Sequence, residues 1–189
     1  MSEIGLIDKQ YQLQLATHLF TLGARLPLVM HETQLSRATL RRLHIELMGT
    51  PPRRGVLPFS LDWFLQWRHN IHASLFANIH AHLDPYKLTN TERLIESYRH
   101  YLREIAGFDT PEPTLTITRA WTLLRFCRQR MLQLTPCHLC KAQFISTGHL
   151  PSSLFTCGVC KPPPHAGRRQ LDVPYNQGMS TKEHVAELI

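Results

Sequence analysis

Two C-x-x-C pairs, Cys137-His138-Leu139-Cys140 and Cys157-Gly158-Val159-Cys160, lie near the end of the chain with sixteen residues between them. In structural sites Zn²⁺ takes a closed tetrahedron of thiolates at about 2.3 Å, and a turn of this kind offers two sulfurs without strain. A single disulfide, or a single redox C-x-x-C, leaves the second equally built pair unexplained. The spacing therefore predicts a zinc ribbon in which Cys137, Cys140, Cys157 and Cys160 hold one structural Zn²⁺. Four cysteines close the shell, so His138 and His149 are expected at the surface, and no open coordination position is left for catalysis. Ala142–Thr147 and Ser153–Thr156 read as short strands between the pairs, joined by a loop marked by Gly148 and Pro151. The fifth cysteine, Cys127, falls in a helical run and reads as a buried, inert thiol.

A chain of 189 residues is long enough for one sizeable core with a small metal-dependent module appended. No apolar run approaches the ~20 residues needed to span a bilayer, and Met1-Ser2-Glu3-Ile4-Gly5 does not open a secretory signal. Thiolate ligands fit a reducing compartment. The expectation is a soluble cytoplasmic protein with no membrane partner.

The formal charge of +7 points to a polyanionic partner, nucleic acid first. Four thiolates and one Zn²⁺ together contribute −2 and leave the chain basic. The charge is concentrated in two places. Between Glu32 and Gly55 stand Arg37, Arg41, Arg42, Arg53 and Arg54 against two acids, and between Cys137 and Gln170 stand Lys141, Lys161, Arg168 and Arg169 with no acid. Residues 57–136 are nearly balanced.

The pattern upstream of the cysteines is helical. Tyr11, Leu15, Leu19, Leu22 and Leu26 recur at three and four over residues 8–27, with Gly23 either a close packing point or a break. A helix around Ala24–His31, a turn through Glu32-Thr33-Gln34 and a second helix capped by Ser36, with Leu40, Leu43 and Leu47 inward, make a helix-turn-helix-like segment over residues 24–47. Its Arg37, Arg41 and Arg42 lie on other faces and are candidates to reach phosphates or guanine edges. Gly49-Thr50-Pro51-Pro52-Arg53-Arg54-Gly55 is a loop. Ser60 then caps a long helix, Leu61–Leu83, with Phe64, Trp67, Ile71, Leu75 and Ile79 as its stripe. Its aromatic surface, Trp63 included, exceeds what one neighbour would cover, so an obligate partner is expected. A helix capped by Asn90 or Thr91 runs to Ala106, and a last one, Leu115–Leu134, buries Ile117, Trp121, Leu124, Cys127 and Met131 and leads into the first cysteine pair. After Cys160, Lys161-Pro162-Pro163-Pro164 is extended and the remainder polar. The reading is a mainly α protein: a multi-helix body over 1–134, a zinc ribbon over 135–164, and a flexible basic-to-polar tail over 165–189.

No nucleophile with its base and no phosphate-cradling glycine loop is present in the sequence, which argues against an enzyme. Thr21-Leu22-Gly23-Ala24-Arg25-Leu26, Glu32-Thr33-Gln34-Leu35-Ser36-Arg37, Gly55-Val56-Leu57-Pro58-Phe59-Ser60 with Asp62-Trp63-Phe64, Thr118-Arg119-Ala120-Trp121-Thr122-Leu123 and the four paired cysteines together resemble FlhC, the C subunit of the bacterial flagellar master transcriptional activator. The resemblance implies a mostly helical protein with a four-cysteine zinc site. It also implies a heteromeric complex with a D-type subunit that binds promoter DNA of flagellar operons and activates transcription by RNA polymerase. The chain departs from the family pattern at its tail, where Arg168-Arg169 is a short basic run. The competing reading is a zinc-stabilised protein-interaction module without direct DNA contact.

Overall fold

A computed structural model describes residues 5–53, 55, 57–107, 113–148, 155–164 and 166. Among them the chain forms seven helices, α1 Leu6–Thr21, α2 Leu26–Thr33, α3 Arg37–Met48, α4 Asp62–Leu65, α5 Trp67–His82, α6 Asn90–Ile105 and α7 Ile117–Arg128, followed by strands β1 Leu132–Pro136 and β2 Gln143–Thr147. The mainly α expectation holds.

Gly23 is a break. Its φ of +82° is open to glycine and strained for other residues, and it ends α1 so that α2 can turn back against it. Pro27 lies in the first turn of α2, where its missing N–H costs nothing. Gln34, in the left-handed region at φ 55°, makes the turn into α3, and Ser36 caps α3 by accepting from the Thr39 N–H at 3.1 Å. The buried face of α3 is narrower than expected. Leu40 is fully buried and Leu43 half-buried, but Leu47 is 41% exposed and Ile45 and Met48 are exposed beside it. The helix overhangs its neighbours by its last turn.

The expected long helix Leu61–Leu83 is two helices. Gln66 is extended, and the Asn70 side chain donates to the Phe64 carbonyl at 3.0 Å, occupying an acceptor that a continuous helix would have used. Leu61, without a side-chain cap, takes the place expected of Ser60. The α5 face that is fully buried consists of Asn70, Ala73, Ser74, Phe76 and Ala77, with Ile71, Leu75 and Ile79 half-buried beside it. The aromatic excess does not materialise. Phe64 is buried, and Trp63 lies between the His69 ring, 3.9 Å away, and the Arg119 guanidinium, 3.9 Å from its centroid. Trp67 is half-buried against the second cysteine turn.

Thr89, not Asn90 or Thr91, begins α6, with its side chain accepting from the Glu92 N–H and Glu92 returning the bond to the Thr89 N–H. Tyr98 and Tyr101 of α6 then fix the approach to α7, since Tyr98 donates to the Leu115 carbonyl and the Leu115 N–H donates to Tyr101. The expected helix Leu115–Leu134 stops at Arg128. Arg130 has φ 58°, and the alternating Leu132-Gln133-Leu134 suits a half-buried strand, so Met131 is exposed.

That strand changes the ribbon. β1 pairs antiparallel with β2, Leu132 opposite Thr147 and Pro136 opposite Gln143. The hairpin therefore encloses the first cysteine pair at its turn, and is not built between the two pairs. Ser153, Leu154, His149 and Pro151 lie outside the described residues, and Phe155 and Thr156 are not in a strand.

A four-cysteine centre and a basic helix

The two cysteine turns are built alike. The Lys141 N–H closes the first onto the Cys137 carbonyl at 2.9 Å, and the Lys161 N–H closes the second onto the Cys157 carbonyl at 3.0 Å. The His138 N–H meets the Phe155 carbonyl and brings the turns side by side. The Sγ atoms of Cys137, Cys140, Cys157 and Cys160 all lie within 4.8 Å of one another, and all are free thiols. A sulfur tetrahedron with bonds of about 2.3 Å has edges of about 3.8 Å, and Cys140 Sγ and Cys157 Sγ stand 3.8 Å apart. The donor set thus fits one tetrahedral metal ion.

Cys137 and Cys157 are buried, Cys140 and Cys160 exposed. Amides point at the sulfurs, Cys157 N–H at Cys137 Sγ (3.3 Å) and Cys160 N–H at Cys157 Sγ (3.4 Å). Burial opposes ionisation of Cys137, but hydrogen bonds from the Cys140, Cys157 and Leu139 backbone outweigh it and lower its thiol to about 6. Burial alone raises Cys127 to about 11, consistent with an inert thiol.

The module is gripped by α5, which sequence reasoning missed. The Ile145 N–H donates to Ser74 Oγ at 2.8 Å, and Asn70 and Asn78 donate to the Ile145 and Gln143 carbonyls at 2.8 and 3.0 Å. Side chains at helical spacing thereby satisfy the outer edge of β2. The Trp67 indole N–H donates to the Gly158 carbonyl at 2.8 Å. The one legible signal was a row of small and polar residues inside an otherwise apolar helix.

Of the basic candidates, Arg37, Arg41 and Arg42 all stand exposed on α3, and none joins an ion pair among the described residues. Arg53 is exposed in the loop that follows. Lys141 and Lys161 are exposed, one after each cysteine turn, with Lys141 Nζ donating to the His138 carbonyl. Arg54, Arg168 and Arg169 lie outside the described residues. The α2–α3 unit that carries the arginines is pinned to the body. Glu32, its side chain only 9% exposed, accepts from Trp121 Nε1 at 2.7 Å and from Thr91 Oγ1 at 2.8 Å, and the Arg25 N–H donates to Thr118 Oγ1.

The family model for the flagellar transcriptional activator FlhC matches residues 1–172. This chain belongs to the FlhC family. Flagellar transcriptional regulator FlhC of Proteus mirabilis is 43% identical over 171 residues, covering 90% of this chain and 89% of the relative. The protein of the same name from Yersinia enterocolitica is 40% identical over 183 residues, covering 96% and 95%, and that from Pectobacterium carotovorum 44% identical over 171, covering 89% and 88%. These relatives are named as transcriptional regulators, so the family is not one of enzymes. No helix among the described residues is long and apolar enough to cross a membrane.

Proposed function

We propose that this chain is the DNA-binding subunit of a transcriptional activator that joins a D-type flagellar regulator subunit, binds promoters of flagellar operons and activates RNA polymerase there. Family membership supports the regulatory role. The observation that carries DNA contact is α3, a helix capped by Ser36 that leaves Arg37, Arg41 and Arg42 exposed and without carboxylate partners among the described residues, on a unit tied to α6 and α7 through Glu32. Guanidinium groups so placed suit phosphate oxygens and the acceptor edge of guanine. Lys141 and Lys161, and Arg53, Arg54, Arg168 and Arg169 from the loop and tail, add phosphate-directed charge. Cys137, Cys140, Cys157 and Cys160 hold one structural Zn²⁺, which supplies folding energy to the hairpin and no chemistry.

A second reading, a zinc-stabilised module that contacts only proteins, draws on the exposed Ile45, Leu47 and Met48 at the end of the same helix. Gel shifts of the chain with and without the D-type subunit, on promoter and on random DNA, separate the two. Arg37→Ala and Arg41→Ala are expected to cost about 1–3 kcal/mol on the promoter and little on random DNA. Unchanged promoter binding in both variants would leave the protein-contact reading standing. Equal losses on both DNAs would make the helix a phosphate contact and move sequence reading to the partner or to the cysteine module.

A further inference from the structure

We infer that Trp67 is a positioning residue for the metal centre, setting the second cysteine turn and with it how tightly the metal is held. The inference rests on the proposed zinc reading of the four cysteines. Trp67 is the first residue of α5, and its bond to the Gly158 carbonyl bridges 91 positions of sequence. Gly158 lies between the ligand candidates Cys157 and Cys160. The fit is close enough to fix the residue type, since a Cβ on Gly158 would lie 2.6 Å from Trp67 Cδ1 and 3.2 Å from its Nε1. Ile71, one turn on from Trp67, packs on the small cluster of Cys137, Phe144 and Cys157.

One helix therefore grips both halves of the centre. Asn70, Ser74 and Asn78 hold β2, which follows the first cysteine turn, and Trp67 holds the second turn directly. A metal joining the two turns and a helix that already fixes both favour the same arrangement, so each stabilises the other. Partners that orient ligands in this way typically account for about 10–100-fold in metal affinity. The coupling is reciprocal, and metal binding should in turn order the indole of Trp67 at the α4–α5 break.

The test uses the full chain loaded with zinc and titrated with a competing chelator. Trp67→Phe keeps an aromatic ring but removes the N–H, and Gly158→Ala places a methyl where the ring lies. Both are expected to lower zinc affinity about tenfold or more. Leu40→Ala, buried in α3 on the far unit, is expected to lower the melting temperature and leave zinc affinity unchanged. In the unmutated chain, zinc removal should shift tryptophan emission, and Trp67→Phe should abolish that shift. Wild-type affinity in both variants, the same loss in Leu40→Ala, or no emission change in the unmutated chain would overturn the inference. An unmutated chain that takes up no zinc would overturn the zinc reading together with it.

Discussion

Glu32 shows what a single half-buried carboxylate does for this molecule. It accepts from Trp121, 89 positions away, and from Thr91, 59 positions away, and so ties the α2–α3 unit to α6 and α7. Glu32→Ala strands the indole N–H and the threonine hydroxyl, and is expected to cost about 2 kcal/mol, measured by urea unfolding. Glu32→Gln should recover part of that loss. In the sequence the residue stood out within the family-like stretch Glu32–Arg37 and in an expected turn, Glu32-Thr33-Gln34, whose first two residues are the end of α2. Its role as a tie was not visible, because partners so distant leave no local pattern. The cysteines were legible for the opposite reason, their chemistry being written in the spacing itself. Two histidines give the molecule an acid-sensitive side. His72 is lowered from 6.5 to about 4 by burial and by the nearby Arg68 and His69, and His80 to about 4 by burial and by Arg93 and Arg128, with Asp84 opposing. Between these values the unfolded chain binds more protons than the folded one. Their effect is absent above pH ~6.5, and stability falls as pH drops from there toward ~4. Melting temperature against pH should show this decline, and His72→Gln with His80→Gln should flatten it. A slope unchanged in the double variant would assign acid sensitivity elsewhere.

At the scale of elements, the Ser36 cap was readable, the starts of α4 and α6 were each misplaced by a residue or two, and the breaks at Gln66 and after Arg128 were not seen. Ser36 was legible because a hydroxyl before a run of leucines at three and four has one obvious task, and Ser36→Ala is expected to destabilise the chain by about 1 kcal/mol. Circular dichroism during urea unfolding checks this. The break at Gln66 escaped notice because the apolar period runs through it from Phe64 to Ile71. What divides the helix is the Asn70 amide, which takes the Phe64 carbonyl on one side and the Ile145 carbonyl on the other. The end of α7 was missed likewise, since Leu132 and Leu134 fit a helical period as well as an alternating one. Only pairing with Thr147 and Ile145 makes them a strand.

On the scale of the whole molecule, the helical body and the cysteine module were expected as neighbours joined by one helix. The structure instead folds the module onto α5, with β1 continuing from α7 and the edge of β2 closed by Asn70, Ser74 and Asn78. This could not be read from the sequence, because Trp67 and Gly158 belong to motifs that each look complete alone. It follows that damage to the centre should be felt beyond it. Cys137→Ser is expected to lose its metal and to lower the melting temperature of the helical body as well, by circular dichroism of the helices. If the helical signal melted as in the unmutated chain while metal was lost, the two parts would be independent. The positive charge acts at this scale too. If the complex neutralises about six to ten phosphates, its affinity for DNA should fall at least about a thousandfold between 50 and 200 mM salt.

The most direct measurement is elemental analysis of the purified chain, followed by chelation under spectroscopic observation. The account predicts one zinc per chain, bound through Cys137, Cys140, Cys157 and Cys160, and a lower melting temperature of the helical body when it is removed. Zero or two metal ions per chain, or a melting temperature unchanged by complete removal of zinc, would contradict it.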